Sequence, residues 1–301
     1  MLQIKRWTAP ARKATLSFGT MSSPSDYRFL PLRRVLVDPA SERACDRWLA
    51  QLDEELSDPA TDRNEFCRRV LESIHFPGRA PATAAGRDEV ASLATRITID
   101  QLDPRNITLE PEYYRDIDPE RYYRVKPLLW LWEMFDKSVL GENVHLGVKF
   151  RRMLARRIFN RCGRNFKAFH FVKFSFGYGM EVGDDVVVHR HVLLDDRGGI
   201  RIGAGASVSD YTNVYSHSHH IGEAREVRTP ATVIGDRVRI AYHATILAGV
   251  RLAPDSMVGA GALVSKDTEP GAVYAGVPAR VVRRKPKPLQ RPETRDPLGE
   301  A

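Results

Sequence analysis

Histidines are concentrated in one short stretch. His217, His219 and His220 follow one another in the segment Asn213-Val214-Tyr215-Ser216-His217-Ser218-His219-His220, and an irregular insertion runs on from there to about Ala231. Imidazole exchanges protons near neutral pH, so such a cluster suits general acid–base work. Its neutral form also suits zinc. A second pair, His189 and His191, lies upstream, with the acidic Asp196 between the two groups. One histidine at a turn is more often structural than reactive; three beside an insertion reverse that weighting. Other familiar chemistries find less material. The three cysteines, Cys45, Cys67 and Cys162, show no Cys-x-x-Cys spacing and read as free thiols in a reducing cytoplasm. The formal charge of +8 calls for an anionic partner without naming it.

The elements that must hold these side chains fall into two grammars. Over 31–157 the pattern is helical. Asp38-Pro39-Ala40-Ser41 is a capping signal, followed by Trp48, Leu49, Leu52 and Leu56 at helical spacing. Asn64 to Ile74 places Phe66, Val70, Leu71 and Ile74 on one face, and Asp118-Pro119-Glu120 opens a third helix with the stripe Leu128, Leu129, Trp132 and Phe135. Such stripes are core material. Arg79 to Arg87 reads as a loop, residues 1–30 as a disordered lead-in and 285–301 as a flexible tail. No apolar run is long enough to cross a bilayer, which favours a cytoplasmic protein.

Across 158–284 the period changes to six. Ile234, Ile240, Ile246, Leu252, Val258 and Val264 recur without a break, as do Ile202, Val208 and Val214, and Val182, Val188 and Leu194. A chain that turns a corner every six residues, with one inward side chain on each short flat face, closes a triangular coil: a parallel β-helix of hexapeptide repeats. Gly203, Gly235 and Gly259 follow the inward residue, where a side chain would crowd the turn. Two-residue excesses near Gly177–Gly179 and at Gly198-Gly199, and the longer one after His219, are the interruptions. Chemistry is expected at those breaks.

The closing run Val258-Gly259-Ala260-Gly261-Ala262-Leu263-Val264-Ser265-Lys266-Asp267, with Ala275-Gly276-Val277-Pro278-Ala279-Arg280-Val281-Val282-Arg283, resembles the closing signature of the hexapeptide-repeat acetyltransferases. It is most similar to the sugar O-acetyltransferases of the galactoside, maltose and nodulation-factor type, over Lys173 to Arg284. The resemblance implies a left-handed β-helix, a homotrimer with sites between subunits, acetyl-CoA as co-substrate and no metal. A histidine ending its hexad before a loop would take the proton of an acceptor hydroxyl. Hexad counting gives that place to His219 ahead of His217. The resemblance also sets His189, His191 and Asp196 beside the acceptor. Ala241, Tyr242, Ala260, Ser265, Lys266, Arg280 and Arg283 would line the CoA path, with the cations facing its phosphates.

Two departures from the family pattern bear on the acceptor and the cofactor path. His189 replaces an Asn, and Val238-Arg239-Ile240-Ala241 lacks the usual aromatic residue and Gly. Two other functions fit the same scaffold: a metal enzyme similar to the γ-class carbonic anhydrases, using His189, His191, His217 and His219, or a non-catalytic oligomerisation module. The basic stretch Arg151, Arg152, Arg156, Arg157, Arg161 and Arg164 is the best nucleic-acid candidate, yet it reads more simply as a helix face packing on the first coil.

Overall fold

The computed structural model describes residues 32, 36–78, 92–114, 116–286, 296 and 298. The lead-in over 1–30 and the loop Arg79–Arg87 lie outside them. Five helices precede the coils: α1 (Pro39–Ser57), α2 (Arg63–His75), α3 (Leu93–Asp100), α4 (Pro119–Asp136) and α5 (Val144–Ile158). Each starts at a side chain that accepts a first-turn N–H: Asp38, Asp62, Ser92, Asp118 and Asn143. The start signals at Asp38 and Asp118 thus open α1 and α4, and the stripe from Asn64 to Ile74 lies in α2. The basic stretch read as a helix face lies in α5 and its exit, and α3 is an addition.

Helix α4 is buried around much of its circumference, including Tyr122, Val125, Leu128, Leu131 and Trp132. A helix apolar on all sides must be enclosed. Here α2 and α5 cover it, and Trp132 donates its indole N–H to the Val172 carbonyl of the first coil at 3.0 Å. Helices and coils share one continuous apolar core.

The basic stretch forms the back of α5 and its exit. Arg151 is 1% exposed and donates to Asp136 on α4 through Nε at 2.8 Å, and to the Gly141 carbonyl at 2.6 Å. Asp136 in turn accepts the Phe171 N–H at 2.6 Å. One ion pair therefore ties α4, α5 and the first coil. Arg152 donates to the Phe166 carbonyl at 2.7 Å and Arg157 pairs with Asp53. These three arginines are spent inside the fold, whereas Arg156, Arg161 and Arg164 of the same stretch are exposed. In the tail, Asp296 pairs with the buried Lys167, and the Leu298 carbonyl accepts from Arg152 at 2.8 Å. At these two residues the chain returns to the first coil and is held there.

The β-helix occupies 161–284 in about six turns. Its strands form three parallel faces. Val182, Ile202, Ile234 and Leu252 stack on the first. Val188, Val208, Ile240 and Val258 stack on the second, and Leu194, Val214, Ile246 and Val264 on the third. Every one of these twelve is at most 3% exposed, so the period of six is the period of inward side chains. The close coil spacing explains two of the glycines: a Cβ at Gly203 would come within 2.5 Å of the Asp236 nitrogen, and one at Gly235 within 2.8 Å of the Leu252 carbonyl. The final strand, Arg280–Arg284, turns back antiparallel to Ala272–Ala275 and ends the stack.

Replacing Arg151 by Met leaves Asp136 charged and unpaired in the core, and should cost about 3–5 kcal/mol of unfolding free energy. Arg164→Ala removes an exposed pair with Asp184 and should cost less than about 1 kcal/mol. Denaturant titration of the two variants checks the contrast.

Candidate active site

All three interruptions of the repeat lie at one corner, where the third face passes to the first. The last residues of the third face stack as Phe174-Ser175-Phe176, Leu194-Asp195-Asp196 and Val214-Tyr215-Ser216. Strand alternation decides their directions. Leu194 points in and Asp195 points out, while Asp196 turns back under the corner. Asp196 is completely buried, and its carboxylate accepts the Phe176 N–H at 2.7 Å and the Gly179 N–H at 2.9 Å. Its assignment as a residue facing the acceptor is therefore corrected: Asp196 holds the Phe176–Gly179 turn, and burial pushes its pKa up to about 6. Ser216 supports the corresponding turn of the next coil, donating to the Asp195 carbonyl at 2.6 Å and accepting the Gly198 N–H at 2.8 Å.

The outward neighbour, Asp195, is the acidic residue at the cavity. Its carboxylate bonds Nδ1 of His217, and its other oxygen accepts the Ser175 hydroxyl at 2.8 Å. The Asp195 side chain is 4% exposed and that of His217 19%, so the pair is shielded without being closed off. With a carboxylate on Nδ1, the proton sits there and Nε2 keeps its lone pair. His219 stands differently. It lies on the hairpin formed by Ser218–His219 and Val227–Arg228, is exposed, and donates Nδ1–H to the Ala224 carbonyl of its own loop. The two rings meet edge to face at 5.3 Å.

Around them is a cavity of about 180 Å³ lined by Ser175, Phe176, Leu193, Asp195, Arg197, Tyr215, His217 and His219, and on its far side by Glu110, Pro111 and Tyr114. The last three come from the helical region. Asp195, Arg197 and this far wall were not singled out in the sequence. The alternation Leu194-in, Asp195-out was a legible signal for the first.

His189 and His191 are at another corner, between the second and third faces. His189 stacks on Phe169 at 5.2 Å, and burial holds its pKa below the ordinary histidine value. His191 stacks between Phe171 at 4.9 Å and Tyr211 at 4.7 Å, and Tyr211 stacks on His243 at 4.9 Å. A single chain thus does not gather His189 and His191 with His217 and His219 as one ligand set. Among the described residues, the one cluster of possible metal ligands is Glu42, Asp46 and His145, where Lys149 already occupies Asp46 at 2.7 Å. Of the predicted CoA residues, Ala241, Tyr242 and Ala260 lie along the same corner as His191. Ala241 and exposed Tyr242 lie above Gly259 and Ala260, with the Gly261 N–H bonded to the Tyr242 carbonyl at 3.0 Å. Ser265 and Lys266 are exposed just past the third face, and Arg280 and Arg283 are exposed on the closing strand.

No protein-family model matches the chain. The galactoside O-acetyltransferase of Escherichia coli K12 is 30% identical over 169 residues, which cover 55% of this chain and 79% of that protein. The chain belongs to the hexapeptide-repeat acetyltransferases. A putative colanic acid biosynthesis acetyltransferase of the same organism is 26% identical, over 52% of this chain and 86% of its own length. Among solved structures, a maltose O-acetyltransferase from Clostridium difficile 630 superposes with a TM-score of 0.51 at 22% identity, covering 58% of this chain and 92% of the other. That likeness is one of fold, and it makes the coils a left-handed β-helix. No helix among the chain's described residues is long and apolar enough to cross a membrane.

Asp196 supplies a pH test. A carboxyl whose folded pKa is raised stabilises fully below its unfolded value and loses that contribution as pH rises through about 6. The melting temperature of the wild type, less that of Asp196→Asn, should therefore fall between acid and neutral pH. A difference that is flat or rises over that interval contradicts the assignment.

Proposed function

We propose that this chain transfers the acetyl group of acetyl-CoA to a hydroxyl of a sugar-type acceptor, with His217 as general base. The observation that carries the choice of base is the shielded Asp195–His217 pair at the wall of the cavity. A sugar hydroxyl attacks a thioester only poorly until its proton is taken. Asp195 holds the imidazole in the tautomer that presents Nε2 and stabilises the imidazolium once formed, as the carboxylate does in other base-activated sites. Attack by the acceptor oxygen on the thioester carbonyl gives a tetrahedral oxyanion. Its collapse expels CoA thiolate, which can take the proton back from His217. No nucleophilic side chain is needed, so transfer is direct. His219, favoured by hexad counting, lacks a carboxylate partner and is exposed on a hairpin; its place is at the rim.

Family membership supports acetyl-CoA as donor, and the exposed cations Lys266, Arg280 and Arg283 suit its phosphates. Assembly as a homotrimer supports the remaining assignments. The corner bearing His189, His191, Ala241, Tyr242 and Ala260 would then face the His217 corner of the next subunit, with CoA between them. Sugar as the acceptor class is supported by the galactoside and maltose relatives.

With acetyl-CoA and a panel of glycosides, CoA release measured by thiol titration is the test. His217→Ala should lose about 10²–10⁴ of kcat with acetyl-CoA binding retained. His219→Ala should keep kcat within about threefold, since the rim position removes no proton transfer, and Asp195→Asn should fall between the two. Full turnover by His217→Ala rules out the assigned base.

A further inference from the structure

One wall of the cavity beside His217 is foreign to the β-helix. Glu110, Pro111 and Tyr114 belong to the turn that leads into α4, and several bonds hold that turn in place. Arg197, with a side chain 7% exposed, donates to Asp116 Oδ2 through Nε at 2.7 Å, and its Nη2 lies 2.6 Å from the same oxygen. Such a charge-assisted bond is stronger than a neutral one. The same guanidinium lies 4.8 Å from the centre of the Tyr114 ring. Further along, the Asp118 N–H donates to the Tyr178 hydroxyl oxygen at 2.9 Å and Arg121 donates to the Tyr178 carbonyl at 2.9 Å. At the other end, Lys126 holds Glu112 at 2.8 Å.

The chemistry of the lining is one-sided. Glu110 and Asp195 are carboxylates. Arg197, the one permanent cation among the lining residues, is committed to Asp116. Tyr114, Phe176 and Tyr215 supply aromatic faces, and Ser175 a hydroxyl. Such a lining accepts hydrogen bonds from hydroxyls and offers flat apolar surface to the C–H face of a ring. An added negative charge would meet Glu110, with no unpaired guanidinium among the described residues of the lining to offset it. The cavity is also below the roughly 300–1,000 Å³ usual for sites that enclose drug-sized ligands. One ring fits that scale better than a chain of rings.

We propose that Glu110 and Tyr114 form the specificity wall of the acceptor site: they admit one uncharged, hydroxyl-bearing ring against Tyr114 and discriminate against anionic rings. Tyr114 and Glu110 are the selecting side chains, and Arg197 and Asp116 are positioning residues that keep them over His217. The inference rests on the reading of this cavity as the acceptor pocket, and it does not depend on the identity of the base.

Saturation-transfer NMR on the full-length protein, without acetyl-CoA, tests it with nitrophenyl glucoside and nitrophenyl glucuronide as probes. The wild type should bind the glucoside at least about tenfold more tightly than the glucuronide. Glu110→Gln should narrow that ratio to about threefold or less while sparing glucoside affinity. Tyr114→Ala should weaken the glucoside by about tenfold, the scale of losing a ring-stacking face. Glu110 and Tyr114 are exposed residues of the turn, so both variants should fold, which thermal melting verifies. As a positioning change, Asp116→Asn should raise the acceptor KM in the CoA-release assay more than it lowers kcat, and Asp116→Glu should restore some of the loss. Equal affinity of the wild type for the two probes, binding of neither, or unchanged glucoside affinity in Tyr114→Ala overturns the proposal. A wild type that binds the glucoside selectively but releases no CoA leaves the wall standing and removes the transferase reading instead.

Discussion

An inward side chain in a triangular coil has no cover on its own strand. It is shielded only by the equivalent side chains of the coils above and below, as Ile240 is by Val208 and Val258. A coil is therefore stable only in register with its neighbours, and the register fixes everything outside. Once Leu194 and Val214 are stacked, Asp195 must face outward beside Tyr215, and His217 must emerge two residues later where the Asp195 carboxylate is waiting. The reactive pair is a consequence of vertical stacking between residues distant in sequence.

The same constraint explains why chemistry collects at one corner. A turn that follows the repeat strictly has room for small residues, as at Gly203 and Gly235. The third corner breaks the repeat on successive coils, and each break needs polar support: Asp196 for the turn beneath, Ser216 for the turn above. Polar side chains buried for structure there leave their outward neighbours to line a cavity. Asp196 and Asp195 are adjacent carboxylates with opposite duties, separated by one step of strand alternation.

Above this corner the helical region acts as more than a lid on the apolar end of the coil. Arg151–Asp136 anchors α4 and α5 to the first turns, and from that anchor the segment before α4 reaches the cavity through Arg197–Asp116. The shared core makes helices and coils one folding unit, so the far wall of the site is as firmly placed as the near one.

The sequence by itself determined the β-helix, its extent, and the location of its breaks, because a period of six leaves an inward residue at every sixth position and needs no long-range information. It also determined two of the helix starts, at Asp38 and Asp118, since an Asp cap is a local hydrogen bond. The helix face at Arg151 and Arg152 was legible but its bounds and partners were not, because these arginines are polar by type and acquire their partners only from α4 and the first coil. Only the tertiary structure shows that Asp196 is buried while Asp195 meets His217, and that His219 bonds instead to the carbonyl of its own loop. Hexad counting tracks position along the chain, whereas a base is made by the carboxylate brought against it from another coil. The wall at Glu110 and Tyr114 was beyond sequence reading for the same reason: nothing local in 110–116 records that Arg197, far along the chain, pins it over the site.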